Sequence, residues 1–473
     1  MVSFKAVVLS LAASAVVAQA GQATCGGGSK CPSDTPCCSS YGQCGVGAYC
    51  LGGCDPQNSF DLQSCMPAPV CQSADYKMNS LDDIIPNSQY LGNSSQGNWV
   101  SSGTPVPYNG DSILLTMAPS TVGTLLSSTH YVWYGKISAT MTTSMGAGVV
   151  TAFILMSDVK DEIDFEFVGV DLQHAQSNYY FQGILDYDNA ANLSASDTHQ
   201  NVHTYTIDWQ PDYVSWAIDG QVLRTKFRNE TYNSTTGQYH FPQSPSRVQL
   251  SLWPAGLQSN GEGTIDWAGG LVNWDNTTAM ANGYYYAMVN DVVSMNLSSL
   301  FFDANHTQNV ECYSPPAGYN NQGSQAYIYT TTAGTNDTVE TTNKNTILAS
   351  FQATGDNQNY CPNCVSSQSA GQSKTSSAAP SSTPSAQANT IPGVSGAGAY
   401  SQSGGADAAD AGSVASGSGT SGSSDTDSNA AGQQGGGSTS FSQGLVASTN
   451  EGARMVAGSL VALVAFFAAA MIM

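Results

Sequence analysis

A chain of 473 residues with 12 Lys and Arg against 34 Asp and Glu carries a formal charge of −22 at neutral pH. Repulsion by phosphate opposes nucleic acid or an anionic lipid surface as its partner, whereas a neutral polymer stays compatible. The length allows two or three domains, and a hydrophobic share of 41% is ordinary for a secreted globular protein with a sizeable core.

Residues 1–20 read as a signal peptide, with Lys5, the apolar run AVVLSLAASAVV and a small-residue cleavage site at Ala18-Gln19-Ala20. The mature chain is therefore expected outside the cell, in an oxidising compartment. Nine of the 12 cysteines lie between Cys25 and Cys71, and such density in an exported segment reads as a disulfide framework. Zinc is the lesser reading, because only Cys361-Pro-Asn-Cys364 has paired-ligand spacing and it stands without a second pair. Residues 21–54 show no periodic apolar face, so this small Cys/Gly-rich module must be held mainly by disulfides. The nine cysteines between Cys25 and Cys71 are an odd count, which sends at least one bond elsewhere, with Cys312 the candidate. Asn-x-Ser/Thr acceptors occur at Asn93, Asn192, Asn229, Asn233, Asn276, Asn296, Asn305 and Asn336, which suits an exported surface although chance would supply a few.

Residues 55–300 carry every tryptophan and a series of short apolar or alternating runs: HYVWYGKISATMTT, GVVTAFILMS, DEIDFEFVG, HTYTIDWQ, YVSWAIDG and RVQLSLWP. Turn residues break them at the spacing of an all-β sandwich, and no long helical period competes. Within them, DEIDFE is the unusual stretch. As a strand it puts Glu162, Asp164 and Glu166 on one face and Ile163, Phe165 and Phe167 on the other. Burying each Phe stabilises the sheet by roughly 2 kcal/mol, but three like charges side by side repel and raise one another's pKa. Stability does not account for them. A bland solvated face would intersperse Lys or Thr, and calcium would ask for carbonyls and a turn. The functional reading is glycoside chemistry by two carboxyls, which retention of configuration wants about 5–5.5 Å apart. Positions i and i+4 of a strand lie about 13 Å apart at Cα, a gap two inclined Glu side chains can shorten, with the shorter Asp164 between them.

Residues 301–364 are an uncertain extension with an extended QAYIYTTT and the last cysteines. Residues 365–450 collapse to Ser, Gly, Ala, Thr, Gln and Asp, the composition of a disordered stalk. Residues 451–473 end in an apolar run that reads as a glycolipid-anchor signal, with a membrane-spanning tail as the alternative. The attachment residue is placed at Asn450, with Gly444 and Ser448 as rivals.

Two stretches carry resemblances. CGGGSKCPSDTPCCSSYGQCGVGAYC resembles the hevein-type chitin-binding module. That resemblance implies pairings Cys25–Cys38, Cys31–Cys44 and Cys37–Cys50, and contacts from Ser39, Tyr41 and Tyr49 to N-acetylglucosamine, aromatic faces stacking on the sugar. Gln43 stands where that family usually has another aromatic. The alternative is a disulfide knot that positions the next domain and binds little. Over about half the chain, DEIDFE with WYGKISATM, GVVTAFILMSD, SNYYFQG, HTYTIDWQPDYVSWAIDGQVLRT, PSRVQLSLWPAG and IDWAGG is similar to glycoside hydrolase family sixteen. The whole arrangement resembles the fungal Crh-type cell-wall transglycosylases.

This resemblance implies a concanavalin-like β-jelly-roll sandwich over 55–300, with Glu162 as nucleophile, Glu166 as general acid/base and Asp164 as helper. It implies Trp253 and Thr264 at the cleft border, chitin as donor, and β-glucan or chitin as acceptor. Arg224, Lys226, Gln176 and Trp267 are weaker binding candidates, and Trp209 and Trp216 look like core. No cofactor or metal is required. The alternatives are a hydrolase using the same intermediate and a non-catalytic wall protein that binds polysaccharide.

Overall fold

A computed structural model describes residues 22–291 and 308–364. The expected signal peptide, stalk and anchor signal, the attachment candidates Asn450, Gly444 and Ser448, and the acceptors Asn296 and Asn305 lie outside the described residues.

The expected all-β sandwich is what forms. One sheet has eight strands: β1 (Ile84–Pro86), β2 (Trp99–Ser102), β3 (Thr124–Val132), β4 (Val149–Ser157), β5 (Glu162–Val168), β6 (His174–Tyr180), β7 (Ala191–Ser194) and β8 (Ser246–Pro254). Their spatial order is β7-β6-β5-β4-β8-β3-β2-β1. Every pairing is antiparallel except β1 with β2. A nine-stranded sheet lies opposite, built around Gly135–Met141 and His203–Trp209. The acid strand shows why the two sheets meet. Its Phe165 and Phe167 are buried between them, with Phe165 stacked 6.2 Å from Phe153 of β4 and 5.5 Å from Tyr205 of the other sheet. Trp209 and Trp216 are fully buried in this core, and the Trp216 indole donates to the Asp164 carbonyl at 2.9 Å, tying the second sheet to the back of the acid strand.

The run HYVWYGKISATMTT is one apolar stretch in the sequence but two strands in the fold. Tyr134 takes φ +64°, a conformation that turns an L-residue chain sharply, and there the chain leaves the first sheet at Val132 and joins the second at Gly135. Helix is confined to short pieces, of which α1 (Glu262–Trp267) is the one α-helix among the described residues.

Residues beyond 300 do not stand apart. Gln308–Cys312 pairs with Gly135–Met141 and with Ala74–Tyr76, and Cys312 is bonded to Cys71. Ala326–Tyr329 pairs with Val339–Thr342 and with Ala68–Pro69. The extension is thus part of the sandwich body, held by backbone ladders that its Thr/Asn-rich sequence concealed. No cysteine is free: the bonds are Cys25–Cys38, Cys31–Cys44, Cys37–Cys50, Cys54–Cys65, Cys71–Cys312 and Cys361–Cys364. The zinc reading of Cys361 and Cys364 is thereby overturned, since both sulfurs are spent on each other.

Candidate active site

Register fixes what surrounds the acids. Across β6, β5, β4 and β8, Gln176 faces Glu166, Ala152 and Ser251 in one row; Asn178 faces Asp164, Ile154 and Gln249 in the next; Tyr180 faces Glu162, Met156 and Arg247 in the third. Strand alternation puts all twelve on the face turned away from the sandwich core. Ala152 is the small residue beside Glu166, and along the same strand the floor stays apolar: Leu125, Ala152, Ile154 and Met156 form a buried cluster of their own.

The acids are enclosed. Glu162 is 4% and Asp164 1% exposed, and Glu166 is half-buried. Burial, opposed by the Arg224 guanidinium and the Asn178 N–H, pushes the Asp164 carboxyl up to about 7. Burial pushes Glu166 well above the usual carboxylate range, and the charges of Asp164 and Glu162 add to it. Tyr180 is raised by burial and by all three acids. Four buried polar atoms of this face have no hydrogen-bond partner: Asp164 Oδ1, Glu166 Oε1, Ser251 Oγ and Trp253 Nε1. An orphaned buried polar atom costs about 1–3 kcal/mol; four on one patch are groups left for something that is not protein.

The flanking candidates divide. Trp267, at the end of α1, donates from Nε1 to Gln176 Oε1 at 2.8 Å, beside Glu166. Its ring stacks on Trp253 at 6.2 Å and 28°. Trp253 is 1% exposed and lies against Trp267, with its Nε1 turned to the acid-bearing face. Helix α1 folds over the end of β8 and leaves Trp267 the more open ring; Thr264 is buried in the same helix. Arg224 works from the other sheet. Its Nη1 donates to Ser177 O and Oγ at 2.7 and 2.8 Å, Nη2 donates to Asn189 O, and the guanidinium lies 4.6 Å over Trp216. Arg224 therefore supports the acid-bearing sheet through core-facing groups. Lys226 shares no register row with the acids and pairs with Glu230 at 3.4 Å.

The small module's candidates are turned inward. Ser39 is 2% and Tyr49 7% exposed, and burial of its hydroxyl pushes Tyr41 up to about 12. All three line one pocket with Arg247, Gln249 and Met156 of the sheet. The last three were missed in the sequence, where RVQLSLWP was read only as a strand; its alternation already set Arg247, Gln249, Ser251 and Trp253 on one face.

An all-β sandwich with paired acids on its solvent-side face is the arrangement of a glycoside-processing enzyme, and residues 93–269 match the model of the glycosyl hydrolases family 16. Within that family the chain belongs to the Crh-like proteins. It is 52% identical over 353 residues to Crh-like protein 3 of Botryotinia fuckeliana, covering 75% of each chain. It is 51% identical over 348 residues to Crh-like protein 2 of Aspergillus fumigatus, covering 73% of this chain and 75% of that one. A solved structure described as Crh5 transglycosylase in complex with NAG matches 60% of this chain and 98% of its own at 26% identity and a TM-score of 0.46.

Proposed function

We infer that the protein is a retaining transglycosylase that cuts chitin and passes the new end to β-glucan or chitin in a fungal cell wall. The observation that carries this reading is the unpartnered Oε1 of Glu166, enclosed beside two further acids on a face that also holds orphaned donors. Glu166 enters protonated and gives its proton to the departing glycosidic oxygen, while Glu162 attacks the anomeric carbon and the carbon–oxygen bond breaks. The covalent glycosyl-enzyme then meets an acceptor hydroxyl. Glu166, now a carboxylate, takes that hydroxyl's proton; the oxygen bonds to the anomeric carbon and Glu162 leaves, so configuration is retained. Asp164, between them, keeps the charges apart and supports Glu166 in its protonated form. Water at about 55 M competes for the intermediate, so transfer depends on an acceptor held in line.

The same reading places the mature chain outside the cell on a glycolipid anchor. The leader-like start, the apolar tail and six disulfides support it. The test is incubation of the ectodomain with chitin oligosaccharides and a labelled acceptor oligosaccharide. Labelled products longer than the acceptor are expected. Short unlabelled sugars alone would make the protein a hydrolase, and unchanged sugars would make it a binding protein.

A further inference from the structure

The Cys-rich module is built into the sandwich rather than hung from it. Its exit residues are gripped by the turn that leads into the acid strand. Gly53 N–H donates to Asp158 Oδ1 at 2.9 Å, the Tyr131 hydroxyl donates to the same oxygen at 2.8 Å, and Lys160 pairs with the buried Asp55 at 3.3 Å. Gly47 N–H donates to Ala353 O. Two glycines record how close the approach is. A Cβ on Gly52 would sit 2.5 Å from Arg247 Nη1, and one on Gly47, at φ +64°, 2.2 Å from Phe351 O.

What this docking encloses is a pocket on the same face as the acids. Its floor is Met156 and Leu125 with Arg247 and Gln249; its wall on the module side is Ser39 and Tyr41. Met156 is the register neighbour of Glu162, so the pocket lies off that end of the acid strand. At about 4.8 Å per strand, β8 lies about 10 Å and β3 about 14 Å from the acids. Arg247 is 9% exposed, donates to the carbonyls of Ser128 and Ser127, and has no carboxylate within ion-pairing distance among the described residues. The lining thus offers a phenol ring, an amide and a buried cation beside apolar surface. That combination suits a neutral pyranoside, with hydroxyls for the polar groups and a C–H face for the ring.

We propose that Tyr41 of the module and Gln249 and Arg247 of the sheet form a composite saccharide subsite, which holds a β-linked pyranoside chain beyond the acids. The inference rests on the glycan reading above, and it changes the module's part: its aromatic side serves the enzyme's own trough instead of gripping the wall independently.

The experiment uses the full ectodomain in a Glu162→Gln background and measures binding of the N-acetylglucosamine dimer and hexamer. The hexamer should bind at least about tenfold more tightly than the dimer. Tyr41→Ala and Gln249→Ala should each weaken hexamer binding by about fivefold or more, the worth of roughly one buried polar contact, and leave the dimer unchanged. Gln249→Ala lies on the sheet and does not disturb the module's own packing, so it separates recognition from docking. Parent-like hexamer affinity in Gln249→Ala, or equal loss for dimer and hexamer in both variants, would overturn the subsite. A parallel arm with β-1,3-glucose dimer and hexamer identifies the chain: the sugar whose hexamer affinity depends on Tyr41 is the one the pocket holds. Products released in the Glu162→Gln background would count against the reaction mechanism alone, since the length dependence is read separately.

Discussion

Asp161 and Glu166 sit five residues apart on one hairpin, Asp161 fully buried and Glu166 half-buried with one oxygen enclosed, yet their carboxyls are treated in opposite ways. Asp161 is saturated: Oδ1 accepts from Gln182 N–H at 2.9 Å, and Oδ2 accepts from the N–H groups of Gln243 and Ser244 and from the Ser244 hydroxyl. It is nonetheless pushed up to about 6, because burial outweighs those donors. Glu166 keeps an oxygen without any partner and has two acids for neighbours. A carboxyl that closes a turn is given every donor it can use; a carboxyl meant to exchange a proton is denied them. On the proposed mechanism this difference separates a structural acid from a reacting one by its hydrogen-bond partners.

The comparison breaks most sharply under substitution. Glu166→Gln and Glu162→Gln should each lower kcat by about a thousandfold or more with the melting temperature held or raised, measured by product release and thermal unfolding. Asp161→Ala should do the reverse, costing about 3 kcal/mol or more of stability as four donors lose their acceptor, read as a fall in denaturation midpoint. A retained midpoint in Asp161→Ala would erase the distinction.

A subtler effect concerns pH. Asp164 at about 7 and Glu166 above the carboxylate range hold protons in the folded chain that the unfolded chain releases near pH 4. The folded state therefore binds more protons, and these groups cost stability as pH rises through that window. The advantage of Glu166→Gln over the parent should grow between pH 4 and 7, followed by denaturant unfolding at several pH values. The basic limb of kcat/KM should lie above the ordinary carboxylate range, and Asp164→Asn, which removes a neighbouring charge, should move it to lower pH. The smallest effect is expected at the rim. Trp267→Phe loses the bond to Gln176 Oε1, and KM should rise about fivefold with kcat changed less.

Much of this site was legible because a strand's alternation is local. DEIDFE alone set three acids against three apolar side chains, and the fold kept that division. The sandwich too was legible, from short apolar runs and turn residues. What the sequence withheld depends on partners far along the chain. Nothing in the stretch around Asp161 says that Gln243 and Ser244 will cap it, and nothing in PSRVQLSLWP says which strand will lie beside Arg247. The return of residues 308–364 to the sandwich was hidden because QNVEC and VETT lack an apolar signature and the extended QAYIYTTT does not say which strands it will pair with. Trp253 and Trp267 were told apart only by α1, whose six residues are too few to announce themselves. Inward docking of the module rests on long-range contacts such as Gly53 N–H to Asp158, Gly47 N–H to Ala353 and Lys160 to Asp55, and no local pattern encodes those.

The most direct test of the account is to look for the bond it requires. Glu166→Ala ectodomain, given a chitin oligosaccharide with an activated leaving group, should accumulate a glycosyl-enzyme, seen as a mass increase of the intact protein and mapped by peptide sequencing to Glu162. An adduct on another side chain, or turnover of the activated donor with no adduct and inversion at the anomeric carbon, would contradict it.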